Sequence, residues 1–301
     1  MTTDPARPPT ESDPFAALRP RLFSIAYRML GTRADAEDVL QDAWLRWQHD
    51  TDRSAVRSAE AWLVTVVTRL SIDRLRAAKA EREAYVGWWL PEPLVEASDE
   101  RTPETAAELA SDLSIALLWV LERLSAEERA AFLLRQVFDH DYDEIAALLG
   151  KTEAACRQMV HRASERVQRT RARFDVPREA HRRVVEKFIR AASSGERDAI
   201  QALLAEDVEL VGDGGGKVPA VLKMLHGAFR IANLFWVTAR RNGPQLVYRH
   251  ALINGEPGLL RYLDGKLESA MAFATDGERI VGIYAIRNPD KLKGVPQQPA
   301  Q

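Results

Sequence analysis

The sequence predicts two all-α modules followed by an α+β domain. Three observations carry that reading. Residues 15–83 hold one glycine, Gly31, and show no period-2 alternation. Residues 88–112, "WWLPEPLVEASDERTPETAAELASD", bring three prolines and seven acidic residues against one arginine, which is a linker by composition. From about residue 207, glycine-punctuated runs such as "LVYRHALING", "GLLRYLDG" and "RIVGIYAIRN" read as strands. At 301 residues and 46% hydrophobic, the chain can bury two or three cores.

The boundaries follow in order. Residues 1–14, "MTTDPARPPTESDP", are polar and proline-rich with no apolar h-region, so a disordered leader is expected rather than a signal peptide. The first helical module spans 15–86, the acidic linker 87–112 and the second helical module 113–173. The α+β domain spans 178–292, with a flexible tail at 293–301. No apolar run approaches the roughly 18–20 residues that a bilayer requires. The single cysteine, Cys156, excludes a disulfide framework and a cysteine-built zinc site, and suits a reducing cytoplasm. Net charge is −2, so any nucleic-acid binding must use local patches.

In the first module, "TRADAEDVLQDAWLRW" (32–47) opens on a Thr32…Asp35 capping box. Ala36, Val39, Leu40, Ala43, Trp44 and Trp47 follow helical spacing and predict the buried face. Asp35, Asp38 and Asp42 share another face, with Glu37 nearby. The helix dipole accounts for acids in the first turn but not for Asp42. That stripe is either a docking surface for a basic partner or a solvated face. "AWLVTVVTRLSIDRLRAAKAERE" (61–83) reads as one long helix. Leu63, Val66, Val67 and Leu70 point inward, and Arg69, Arg74, Arg76, Lys79 and Arg82 make its later turns basic. Arg57 and Trp62, at its entry, suit an unpaired base; a core tryptophan is the equal alternative.

In the second module, Ser125–Glu128 and Asp141–Glu144 have capping-box spacing. A short helix carries Tyr142, Ile145, Ala146 and Leu149, Gly150 breaks it, and Thr152 can cap a third helix. Short helix, glycine turn and longer helix make a helix-turn-helix pattern. Cys156, Met159, Val160, Ala163 and Val167 fall on one face, while Arg157, Gln158, His161, Arg162 and Glu165 project elsewhere. Residues 151–173 hold seven lysines or arginines against two glutamates. Arginine and glutamine suit base edges, and the surrounding cations suit phosphates.

The run "GDGGGK" (212–217) suggests a phosphate loop, yet it lacks the G-x-x-x-x-G-K-[ST] spacing, the Ser/Thr and a helix start. A flexible loop near a strand end, where backbone can approach another surface closely, is expected instead. Asp213, His226 and His250 are candidate acid–base groups, but no spacing joins them.

These residues together resemble the extracytoplasmic-function sigma factors, the minimal members of the sigma-70 family. "YRMLGTRADAEDVLQDAWLRW" resembles the second conserved region, "AWLVTVVTRLSIDRLR" its adjoining −10 reader, and "LSAEERAAFLLRQVFDHDYDEIAALLGKTEAACRQMVHRASERV" the fourth region. The resemblance covers about residues 15–172. It implies that Asp35, Glu37, Asp38 and Asp42 face core RNA polymerase, whose beta-prime clamp helices and beta flap are the docking sites. It implies that Arg57, Trp62, Arg69, Arg74 and Arg76 face the melted promoter. Lys151, Thr152, Arg157, Gln158, His161 and Arg162 would face the −35 duplex. Such a protein carries no catalytic residue, cofactor or metal, and works in the cytoplasm at the nucleoid.

"HRRVVEKFIRAASSGERDAIQALLAEDVELV" resembles the entry of a SnoaL-like, NTF2-type cone. Trp236, Tyr248, Tyr262, Phe273 and Tyr284 would complete its sheet, around a cavity that either is plain core or holds a small ligand. Sigma factors with this appended domain form a subgroup whose signature motifs resemble three segments here: Trp89, Leu90, Pro91, Glu92 and Pro93; Asp213, Gly214, Gly215, Gly216 and Lys217; and Asn288, Pro289, Asp290, Lys291 and Leu292. The resemblance implies that the tail regulates the sigma part within one chain. The rival reading is a helix-turn-helix regulator with a ligand-binding domain, or an isomerase or hydratase.

Overall fold

The computed structural model describes residues 14–49, 56, 58–96, 114–171 and 176–298. The expected leader, most of the acidic linker and the last three residues of the expected tail therefore lie outside the described residues. The chain divides into two units, one of residues 1–80 and 124–165 and one of 81–123 and 166–301.

The first unit is helical. Helices α1 (Pro14–Leu30), α2 (Arg33–His49) and α3 (Ala59–Ala77) pack together. Gly31, at φ +74°, ends α1, and Thr32 starts α2 by accepting the Asp35 amide at 3.2 Å. The six predicted inward residues of α2 are all buried. On α3 the phase differs from expectation: Leu63, Val64, Val67 and Ile72 are buried, whereas Val66 and Leu70 are only half-buried. The long helix expected over 61–83 stops at Ala77, and a short α4 (Lys79–Glu83) follows the break at Ala78.

Helices α6 (Ala126–Gln136), α7 (Tyr142–Leu149) and α8 (Glu153–Arg171) complete the helical set. Ser125 and Glu128 form the predicted reciprocal cap, Gly150 closes α7 in the left-handed region at φ +63°, and Thr152 Oγ1 accepts the Ala155 amide at 3.2 Å. Helix α6 packs on α1 and α3. Its Arg129, 2% exposed, donates to the Met29 carbonyl at 2.5 Å, near the end of α1 where helix carbonyls lack partners.

The second unit is α+β. Helix α5 (Ile115–Leu121) and the pair α9 (Arg178–Ser194) and α10 (Arg197–Ala202) accompany a mixed sheet. Its C-terminal strands are β2 (Leu204–Asp213), β3 (Leu225–His226), β4 (Leu246–Ile253), β5 (Glu256–Leu263), β6 (Lys266–Thr275) and β7 (Ile280–Ile286). A two-residue β1 (Val95–Glu96) from the linker pairs antiparallel with β4, giving the order β1-β4-β5-β6-β7-β2-β3. Among the described strands, only β2 and β7 run parallel. Asn254-Gly255 and Asp264-Gly265, all at positive φ, make the tight hairpins on either side of β5. Register shifts in β2, β6 and the β5–β6 pair kink and twist these strands, as bulges do.

One stretch corrects the sequence reading. Residues beyond 207 read as strands, with Trp236 in the sheet, but Ala228–Asn242 is a helix, α11. Its Ile231, Ala232 and Phe235 are buried at helical spacing, between Gly227 and Gly243 at the caps. Aromatic and β-branched content mimicked a strand; the period of the buried residues decides.

The two sheet faces have different partners. On one, Phe273 meets Phe188 of α9 at 5.3 Å, and Phe188 meets Phe235 of α11 at 5.0 Å. Asp213 pairs in register with Ile286, and alternation sends both to the opposite face, which α5 and residues 85–94 cover.

Candidate functional site

In the first unit, the expected polymerase-facing and promoter-facing residues meet. The Asp35 carboxylate accepts from Arg74 Nε and Nη2 at 2.9 and 2.6 Å, and from the Thr32 hydroxyl at 2.6 Å. Glu37 pairs with Arg19 at 2.5 Å. Asp38, 68% exposed, lies 4.0 Å from Arg74, and Asp42 is exposed on the same helix. These last two leave α2 with outward negative charge.

Arg69 Nε donates to the Leu148 carbonyl at 3.2 Å. Arg76 pairs with Glu127 at 2.5 Å, and Lys151 pairs with the same carboxylate at 3.0 Å. Those two cations hold the Glu127 carboxyl below its usual range. Trp62, half-buried, packs against Trp47 with centroids 5.3 Å apart and the rings tilted by 54°. Arg57 lies outside the described residues.

On α8, Arg157 pairs with Glu153 at 2.7 Å and sits over the Tyr142 ring at 4.5 Å. Arg162 lies 3.6 Å from Glu128, while Gln158 and His161 are exposed. Cys156 is fully buried, and burial raises its thiol pKa, so it is core.

In the second unit, three short motifs converge on Asp213, whose side chain is fully buried at the end of β2. Its Oδ1 accepts from the Tyr85 hydroxyl at 2.6 Å and the Gly215 amide at 3.0 Å. Its Oδ2 accepts from the Leu90 amide at 2.9 Å and from Lys291 Nζ at 2.7 Å. Lys291 also donates to the Leu90 carbonyl at 2.5 Å and lies 3.9 Å from the Trp89 ring centroid. Burial lowers the Lys291 pKa to about 8, against the attraction of Asp213. Burial and Asp213 push the Tyr85 phenol well above its ordinary range.

The rest of the three motifs closes around this centre. Asn288 Nδ2 donates to the Tyr85 hydroxyl at 2.8 Å, and its Oδ1 accepts the Asp290 amide at 3.0 Å. Lys217 pairs with Asp290 at the exposed rim. Leu90, Pro91, Pro93 and Leu292 are buried, Glu92 is half-buried, and Pro289 is exposed.

The glycine run follows β2 and makes the close backbone approach expected of it. A Cβ on Gly214 would lie 2.4 Å from the Val218 carbonyl, one on Gly215 2.4 Å from Asn288 Nδ2, and one on Gly216 3.1 Å from Val86. Glycine is there because backbone packs against backbone and against the linker.

Sequence reasoning missed several parts of this clasp. Tyr85 and Arg82 precede the motif; Arg82 lies over Trp89 at 4.0 Å and pairs with Glu122. Asn254 accepts the Leu94 amide at 2.9 Å and donates its own to the Leu94 carbonyl at 2.7 Å. Its signal was present, since Asn-Gly marks a hairpin tip, but nothing in sequence tied that tip to the linker.

The acid–base candidates are dispersed. Asp213 is saturated by four donors, exposed His226 sits 3.5 Å from Glu209, and His250, exposed on β4, has its pKa lowered by partial desolvation. Among the described residues no cluster suits a metal, and no helix is long and apolar enough to cross a membrane.

Comparison with known proteins bears directly on this arrangement. Residues 15–81 match the model of Sigma-70 region 2, and residues 114–167 match Sigma-70, region 4. The chain is 39% identical over 296 residues to the ECF RNA polymerase sigma factor SigJ of Mycobacterium tuberculosis, covering 95% of this chain and 94% of that one. It is 28% identical over 290 residues to the probable ECF RNA polymerase sigma factor SigI of the same species, covering 94% and 96%. The crystal structure of M. tuberculosis SigJ superposes with a TM-score of 0.77 at 36% identity, covering 94% of this chain and 99% of that one.

Proposed function

Because this chain belongs to the extracytoplasmic-function sigma factors, which direct transcription initiation and are not enzymes, we propose that its C-terminal unit regulates it through the linker. Sigma factors bind core RNA polymerase and promoter DNA. The finer assignment is ours. Asp38 and Asp42, with Asp35 and Glu37 once their arginines are released, dock the α2 face on the beta-prime clamp helices. Arg57, Trp62, Arg69, Arg74 and Arg76 engage the −10 strand. Lys151, Thr152, Arg157, Gln158, His161 and Arg162 engage the −35 duplex, with the second module on the beta flap.

One observation carries the regulatory reading. The buried Asp213–Lys291 pair holds the linker at Leu90, and Asp213 also holds Tyr85 just before it. The linker joins the −10 reader to the −35 reader, so fixing one end restricts how the two separate to meet their elements. Breaking a buried pair costs about 3–5 kcal/mol, enough to bias a two-state equilibrium by more than a hundredfold. A clasped and an unclasped linker are the two states that a signal selects between.

The test is promoter-specific run-off transcription with purified core polymerase. Deletion from residue 175, and separately from Asn288, changes activity relative to the full chain. If both truncations match full length, regulation by the tail is wrong.

A further inference from the structure

The helix-covered face of the cone holds a polar cluster that the sigma mechanism does not use. Tyr248, Arg261 and Ser269 are direct cross-strand partners on β4, β5 and β6. Ser269 alternates with Met271 and Phe273 on the face that packs on α9. The register shift after Arg261 sets Glu268 and Ser269 together opposite that arginine. Glu268 pairs with Arg261 and, at 2.5 Å, with Arg287, which also donates to the Pro219 carbonyl.

The cluster is incomplete in a consistent sense. Tyr248 is 6% exposed, Arg261 7% and Ser269 0%. Yet Ser269 Oγ and Arg287 Nε are buried without a hydrogen-bond partner, and the buried Tyr248 hydroxyl, beside the donor Arg261, has no acceptor for its own proton. Two guanidiniums face one carboxylate, and all three groups can donate. Buried donors beside an uncompensated cation are costly unless an acceptor fills the gap. Glu268 and Arg287 keep about a fifth of their side-chain surface exposed, at 22% and 21%, which gives an approach from solvent.

Arg287 joins this cluster to the clasp. Its own amide and that of Asn288 both donate to the Asp213 carbonyl, at 2.7 and 2.9 Å. A ligand that moves the Arg287 side chain therefore acts on the backbone that holds Asp213 and starts the Asn288–Leu292 segment.

We propose that Arg261, Arg287, Tyr248 and Ser269 form a binding site for a small carboxylate, whose occupancy is relayed through Arg287 to the linker clasp. The binding half stands alone; the relay rests on the regulatory reading above. A carboxylate supplies up to four acceptor positions to a site made of donors, and its single charge balances the single excess cation.

The probes are sodium acetate and sodium benzoate, with inorganic phosphate and chloride as comparisons at constant ionic strength. They are titrated calorimetrically into the full chain. Saturable carboxylate binding is expected, about tenfold weaker in Tyr248→Phe and Ser269→Ala, each losing one charge-assisted hydrogen bond. Glu268→Gln, which removes the resident competitor, binds more tightly by a similar factor. Absence of saturable binding, preference for phosphate, or equal affinity in all three variants overturns the site. Benzoate also changes amide exchange at Leu90 and Asn288. Binding without that change overturns the relay and leaves the truncation experiment to judge the clasp.

Discussion

Asp213 shows how much a single side chain can decide. Its carboxylate takes four donors from three separated segments and balances a buried ammonium. Asp213→Asn keeps the shape but leaves Lys291 charged and unbalanced in the interior. The expected loss is about 3 kcal/mol in urea denaturation, partly restored in Asp213→Asn combined with Lys291→Met. His181 makes a separate prediction. It is 7% exposed on α9, its Nε2 has no partner, and burial lowers its pKa to about 4 from 6.5. The unfolded state therefore binds the proton first. Its contribution is fully present above pH 6.5 and is lost as pH falls toward and through 4, about 3 kcal/mol in all. His181→Phe flattens that acid limb of the stability curve, measured by denaturation at several pH values.

At the scale of elements, capping chemistry and period were legible, and long-range partners were not. Gly31 with Thr32, Ser125 with Glu128, and Gly150 with Thr152 each announced a boundary that the structure bears out, because each cap is a local interaction. Helix α11 was lost because Phe229, Phe235, Trp236 and Val237 suit a strand by type, and its glycines read as turn marks. The glycine run was legible as a strand-end loop of close backbone approach, but the residues it approaches, Asn288 and Val86, lie far away in sequence. Gly214→Ala drives a Cβ to 2.4 Å from a backbone carbonyl and is expected to open the clasp as Asp213→Asn does. Gly294→Ala, with open space around it, is expected to be neutral. Protection of the Leu90 amide from exchange separates the two.

For the whole molecule, the ordered pair of helical modules and the α+β tail were readable because each motif is contiguous. What composition concealed was where the linker goes. Its acids and prolines announced a break, whereas Trp89–Glu96 is built into the second unit by a two-residue strand, buried prolines and the Asp213 centre. Tyr85 and Asp213 lie 128 positions apart, and Leu90 and Lys291 201, so neither pairing leaves a local trace. At this scale the prediction concerns polymerase. Asp38→Lys with Asp42→Lys reverses the outward charge of α2 and is expected to abolish co-elution with core enzyme, while helicity by circular dichroism stays unchanged.

The carboxylate of Glu127, held between Arg76 and Lys151, has a consequence for how this factor meets a promoter. Those cations already carry an acidic counterpart, as Arg162 does in Glu128. On the proposed reading, a template phosphate that takes one of these three cations strips Glu127 or Glu128 of its partner, so each contact is weakened by the exposed ion pair it breaks, while the ions released from the DNA are still set by the phosphates neutralised.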